Sequence, residues 1–241
     1  MDYDTDFSDV YQETSLGAIH IKHHKGTGPA IVFLHGLGGN TKAFARLMGY
    51  LPEELDIYLV DLLGHGLSAA PRIDYDVSVQ VRALREFVSA RELDCYLFGH
   101  SYGGWIAVLY ASEGYPCSGI IIEDSAGSRR RVEDSKNAGT LEAEESQLIR
   151  EALAMNGNKD YVIRSLVGNT DVSTLSAQEF ASVSVPAMII WGSDDPVVNI
   201  RYASEFARIR GSRMEVVEGG RHYPHYTKPE AVARLIMGFI A

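Results

Sequence analysis

Five short segments of the chain are apolar or aromatic at nearly every position: Ala30–Leu34, Ile57–Val60, Cys95–Phe98, Gly119–Ile122 and Pro186–Trp191. Runs this short with no polar face are the pattern of strands covered on both sides, as in a parallel sheet. The third extends toward Gly99, the fourth toward Asp124, and Arg213–Val217 reads as a last strand. Between them the spacing changes. Asp76–Ala90 carries Val77, Val81, Leu84 and Val88 three or four apart, which predicts an amphipathic helix. Thr41–Tyr50, Trp105–Ala111, Arg201–Arg210 and Lys228–Ile240 are further predicted helices, the second apolar all round and so buried. At the N-terminal end, Val10–Thr14 and Ala18–His24 read as a hairpin turning at Ser15–Gly17. His23 and His24 are adjacent on a strand, point to opposite faces and make a poor metal chelate, so they are read as surface residues. Strands alternating with helices imply an α/β fold, a mostly parallel sheet with helices on both sides.

One stretch breaks the alternation. From Gly127 to about Val183 the chain turns polar and helix-rich, with helices expected over Leu141–Met155 and Asp160–Val167. An excursion of that length between two sheet strands reads as an inserted helical cap over 127–183 on a core of 1–126 and 184–241. Its Arg129–Arg131 triplet faces either solvent or an anionic substrate.

The remaining composition narrows the class. The 241 residues suffice for one large domain, and a formal net charge of −10 argues against nucleic acid or an anionic membrane as partner. Met1–Asp6 is acidic and unlike a secretory leader, and no apolar run approaches the ~18 residues of a membrane span. Two cysteines, Cys95 and Cys117, make no disulfide framework, so a reducing, cytoplasmic setting is expected.

Candidate chemistry lies at the carboxyl ends of the predicted strands, where ligands bind in such sheets. Gly99-His100-Ser101-Tyr102-Gly103 fits G-x-S-x-G between a strand and a helix, a sharp turn that lifts the serine to its tip. His35-Gly36-Leu37-Gly38-Gly39 follows the first buried strand; it lacks the P-loop and dinucleotide patterns, which argues against nucleotide binding. Asp61 opens a long turn through Ser68 and is read as fixing it through nearby N–H groups, the alternative being a catalytic role. Asp194 and Asp195 end a later strand, and His222 and His225 follow the last one. The order Ser…Asp…His is that of an α/β-hydrolase triad.

Taken together, His35–Gly39, Asp61-x-x-Gly64-x-Gly66-x-Ser68, Gly99-x-Ser101-x-Gly103-Gly104, Gly192-x-x-Asp195 and His222 make the chain resemble the α/β-hydrolase superfamily, in its branch of small cofactor-free enzymes. The resemblance covers nearly the whole chain apart from the cap and implies an eight-stranded, mostly parallel sheet. It implies Ser101 as nucleophile, His222 as general base and then acid, and Asp195 as the acid that orients His222, with Asp194 and His225 as rivals. It further implies an oxyanion hole from the backbone N–H groups of Leu37 and Tyr102, and neither cofactor nor metal; His100, its side chain committed by the turn, is read as structural. The expected partner is a small acyl substrate, for a monomer or homodimer. The family commonly has glycine where this chain has Arg221, which either adds a cation near the site or reshapes the loop. Hydrolysis of an ester or related acyl bond is the leading expectation. A C–C bond hydrolase or lyase using the same residues, with Arg221 or the cap arginines as an anion clamp, is a rival, as is a receptor-like binding protein. Dehalogenases and epoxide hydrolases carry aspartate at the position of Ser101.

Overall fold

The strands are β1 (Ser8–Gln12), β2 (Ile19–His24), β3 (Ala30–Leu34), β4 (Asp56–Val60), β5 (Cys95–His100), β6 (Gly119–Glu123), β7 (Ala187–Gly192) and β8 (Arg213–Val217). They form a single sheet in the order β1-β2-β4-β3-β5-β6-β7-β8, antiparallel at β1–β2 and β2–β4 and parallel elsewhere. The computed structural model describes residues 1–128, 141–156, 159–170 and 174–241, so the Arg129–Arg131 triplet lies outside the described residues.

Strand alternation divides the buried side chains between two faces. Val32, Leu34, Leu97, Ile120 and Ile122 meet Val81, Leu84 and Phe87 of α2 (Val77–Ala90) and Ile106 and Val108 of α3 (Tyr102–Ser112). Ile31, Phe33, Phe98 and Ile121 meet Phe44 and Leu47 near α1 (Ala45–Met48), and Val232 and Ile236 of α9 (Pro229–Ile240). Burying each such side chain contributes about 1.5–3 kcal/mol. Asp76 caps α2 by accepting the Val79 N–H at 2.9 Å. Between β6 and β7 lie α4 (Ala143–Asn156), α5 (Asp160–Thr170) and α6 (Ala177–Ser182), the last packed on α3. After β7 come the single-turn α7 (Ala203–Phe206) and, after β8, the single-turn α8 (Pro224–Thr227).

Several boundaries differ from the sequence reading. β1 is Ser8–Gln12 rather than Val10–Thr14, because Thr14 exchanges backbone hydrogen bonds with Gly17 and belongs to the turn. Thr41–Tyr50 and Arg201–Arg210 each break into a 3₁₀ turn and a single α-turn, their ends tightened by bonds between residues three apart such as Tyr50 N–H to Leu47 O. His23 and His24 are half-buried rather than on the surface: His23 stacks on Tyr58 and bonds Asp56, while His24 reaches the carbonyls of Asp6 and Glu53.

Asp61 organises the turn after β4. Its buried carboxylate accepts the N–H groups of Thr41 and Leu67, each at 2.8 Å, and faces His20 Nδ1 at 2.8 Å. Burial alone would raise its pKa, yet His20 and the two N–H groups hold it below the usual carboxylate range. Burial likewise works against a charged His20, but Asp61 and Asp9 outweigh it and raise its pKa. Gly66 closes the turn at φ +47, where an added Cβ would stand 2.1 Å from Asp61 Oδ2.

Gly66→Ala should therefore lose about 2–4 kcal/mol in chemical denaturation, and a loss below 1 kcal/mol would deny the turn its tight packing. The ion pair makes a second prediction. Asp61, with a depressed pKa, contributes stability above its unfolded value of about 4 and loses it as pH falls through the folded value. His20, with a raised pKa, contributes stability below about 6.5 and loses it as pH rises through its folded value. Denaturation midpoints of the wild type should thus decline from pH 6 to 9 more steeply than those of His20→Gln; parallel curves would contradict the pairing.

Candidate active site

β5 ends at His100 and α3 begins at Tyr102, so a single residue, Ser101, makes the whole reversal. It does so at φ 53 and ψ −113, a conformation that L-residues rarely hold. Four backbone hydrogen bonds fix it: Ser101 N–H donates to Glu123 O at 2.8 Å, and Ser101 O accepts from the N–H groups of Gly104, Trp105 and Ala126 at 3.0–3.3 Å. The flanking glycines are needed because strand and helix nearly touch. A Cβ at Gly99 would lie 2.3 Å from Gly103 O, and one at Gly103 would lie 2.1 Å from Leu34 O. Tyr102 is the first residue of α3, so its N–H is one that the helix leaves without an internal acceptor.

The loop after β3 lies against this turn. A carbon added at Gly36 would stand 3.3 Å from Ser101 Cβ. Two buried histidines shape the loop. His35 Nδ1–H donates to Gly36 O at 2.7 Å and its Nε2 accepts the Leu62 N–H at 3.1 Å. His65 Nε2 accepts the Gly38 N–H at 3.2 Å, and its Nδ1–H donates to Leu63 O. These roles need neutral rings, and burial supplies them: it holds His35 below the usual imidazole range, and burial together with His35 holds His65 at about 3. Leu37 sits between Gly36 and Gly38, both positioned in this way.

The two acids after β7 part company. Asp194 is exposed, while Asp195 is buried and points inward. Asp195 Oδ1 accepts the N–H groups of Val197 at 2.7 Å and Val198 at 2.9 Å, and Oδ2 faces His222 Nδ1 at 2.9 Å. His222 is anchored beside the serine turn, because His100 Nε2–H donates to the His222 carbonyl at 2.7 Å. Burial and the neighbouring His225 and His222 push the His100 pKa well down, in keeping with a neutral structural ring. His225 is taken up elsewhere: its ring and its N–H both bond the buried carboxylate of Glu123.

Arg221 settles its own alternatives. It lies at φ 53, the region glycine would favour, and its side chain leaves the loop for α4. Its Nε–H donates to Glu145 Oε2 at 3.1 Å and Nη1 lies 3.5 Å from Glu142. Glu145 is 1% exposed, so this pair joins the histidine loop to the helical excursion. A small cleft opens where the two meet, floored by Gly36–Asn40, His100 and Tyr223 and walled by Leu148, Ile149 and Ala152 of α4. Lys159, just before α5, ties the excursion to the Asp61 turn by donating to Gly66 O at 2.7 Å and Ser68 O at 3.0 Å.

Glu123, Asp124 and His65 were missed as site-building residues. Two adjacent acids ending an apolar strand were a readable signal; nothing along the chain marks His65. The carboxylate and imidazole atoms of His100, Glu123 and His225, and of Asp124, Asp195 and His222, lie within 4.8 Å of one another in each group. A metal in either would have to displace an imidazole–carboxylate hydrogen bond.

Comparison with known proteins agrees with the architecture. Monoacylglycerol lipase ABHD6 of Mus musculus is 26% identical over 259 residues, spanning 90% of this chain and 76% of the lipase. The carboxylesterase CesB of Bacillus subtilis superposes with a TM-score of 0.84 at 18% identity, over 99% of this chain and 93% of that one. A mutant of the meta-cleavage product hydrolase CumD superposes with a TM-score of 0.82 at 17% identity, over 95% and 97% of the two chains. A family model described as the alpha/beta hydrolase family matches residues 31–235, and the chain belongs to that family.

Proposed function

We propose that this hydrolase cleaves an ester or related acyl bond of a small molecule through an acyl-enzyme on Ser101. The observation that carries the reading is the Ser101 turn with the buried Asp195–His222 pair beside it. Ser101 Oγ attacks the substrate carbonyl as His222 Nε2 takes its proton, and Asp195 holds Nδ1–H and stabilises the imidazolium. The N–H groups of Tyr102 and Leu37 receive the oxyanion, each worth about 3–4 kcal/mol of barrier in such sites. His222 then protonates the departing alcohol, and a water activated by the same ring releases the acid.

The 127–183 excursion acts as the cap, and the Leu148, Ile149 and Ala152 wall offers the acyl group an apolar surface. Lipase and esterase relatives support this chemistry. The rival C–C hydrolase or lyase reading draws on Arg221 or the cap arginines as an anion clamp; the Arg221 guanidinium is engaged by Glu145 and Glu142, and Arg129–Arg131 lie outside the described residues. No helix among the described residues is long and apolar enough to cross a membrane. Cys95 and Cys117 are unpaired thiols, which fits a reducing compartment, and we place the protein in the cytoplasm.

Wild type should react with a fluorophosphonate and turn over p-nitrophenyl esters with a dependence on acyl length. Ser101→Ala should abolish labelling and lower kcat about 10⁴-fold or more; labelling that survives this change would overturn the nucleophile assignment. Asp195→Asn should lower kcat about 10³–10⁴-fold, while Asp194→Asn should stay within about threefold. Equal losses in steady-state kinetics would reverse the choice of acid.

A further inference from the structure

Asp124 directly follows β6 at φ +44 with its carboxyl fully buried. Its Oδ1 accepts the Gly192 N–H at 3.0 Å, while its Oδ2 receives no hydrogen bond among the described residues. One oxygen of Asp124, one of Asp195 and a ring nitrogen of His222 lie within 4.8 Å of one another. Two ionised carboxylates cannot sit so close in a dry interior without strong repulsion. A single proton shared between them removes the repulsion and gives the orphaned Oδ2 a hydrogen to donate.

The surroundings decide which residue carries that proton. Asp195 is addressed by three donors, the N–H groups of Val197 and Val198 and His222 Nδ1–H, and such donors stabilise a carboxylate. Asp124 has one, from Gly192. The other charged neighbour, Glu123, is committed to His225 and adds negative charge beside Asp124. Burial first, then the charges of Asp195 and Glu123, push the Asp124 pKa well above the carboxylate range.

We propose that Asp124 is a neutral carboxylic acid that donates a hydrogen bond from Oδ2 to the Asp195 carboxylate and so acts as a positioning residue for Asp195 and His222. The positioning role rests on the triad reading given above; the location of the proton does not. Asp124 tempers the charge of Asp195 and fixes the plane of its carboxylate against the imidazole. The chain of groups then runs acid, carboxylate, imidazole, serine.

The proton is read directly in protein labelled with ¹³C at aspartate carboxyl carbons. The signal missing from Asp124→Asn should be that of a protonated carboxyl and should not move between pH 6 and 8; an ionised signal overturns the proposal. Kinetics of Ser101 labelling by a fluorophosphonate test the role. Asp124→Asn keeps an acceptor for Gly192 and a donor for Asp195, and should retain most of the wild-type rate. Asp124→Ala removes the donor; it should slow labelling tenfold or more and move the acidic limb of the pH–rate profile upward, because an untempered Asp195 holds the imidazolium more tightly. A wild-type rate and limb in Asp124→Ala, or an equal loss in a folded Asp124→Asn, overturns the positioning role. Absence of labelling in the wild type fails the triad reading and the positioning role with it, while the carboxyl signal still decides where the proton lies.

Discussion

The backbone of Ser101 is the constraint on which the rest of the site depends. A non-glycine residue held at φ 53 costs on the order of 1–3 kcal/mol and persists only where its surroundings over-determine it. The surroundings here are the sheet itself. The β5–β6 register sets His100 against Glu123, and that strand end supplies the carbonyl that receives the Ser101 N–H. The contact of Gly103 with Leu34 O brings the end of β3, and hence the Gly36–Gly38 loop, to the same point. A displaced strand would therefore move the serine, the loop that faces it and the first N–H of α3 together.

The protein buries many titratable side chains. Of its eight histidines, His20, His35, His65, His100, His222 and His225 are buried, and so are Asp61, Glu123, Asp124 and Asp195. They follow one rule. An imidazole is either neutral and bonded to backbone, as His35, His65 and His100 are, or set against a carboxylate, as in His20–Asp61, His222–Asp195 and His225–Glu123. A buried carboxylate left without a partner would cost several kcal/mol, which is why each acid has a ring, an N–H group or a second acid beside it.

The loop bearing His222 and the excursion between β6 and β7 are mechanically joined. Arg221 occupies a conformation suited to glycine, and its side chain is paired with the buried Glu145. The two alternatives posed by this residue are thus one feature: the cation shapes the loop by being held from α4. The same helix provides the apolar wall of the cleft, and Arg46–Glu144 and Lys42–Glu151 tie it to the core beside the Arg221 pair.

Much of this was legible in the order of residues. Short apolar runs announced strands buried on two faces, because a parallel sheet leaves no polar side, and Gly99–Gly103 announced the turn, because only glycine tolerates backbone at 2.3 Å from a would-be Cβ. Asp61 is legible as the holder of its turn because one of its oxygens serves Leu67 soon after it; that the carboxylate also reaches back to Thr41 and His20 is not. The helices at Thr41–Tyr50 and Arg201–Arg210 were read too long, because periodicity does not register where a turn tightens. What the chain alone determined was the strand sequence, the class of fold and the candidate serine, all carried by patterns within a few residues. What only the tertiary structure decided was where His225 goes, what Arg221 holds and that Asp124 lies beside Asp195. Those choices depend on contacts between strand ends tens of residues apart, where burial and a neighbour's charge, not local spacing, set the partner.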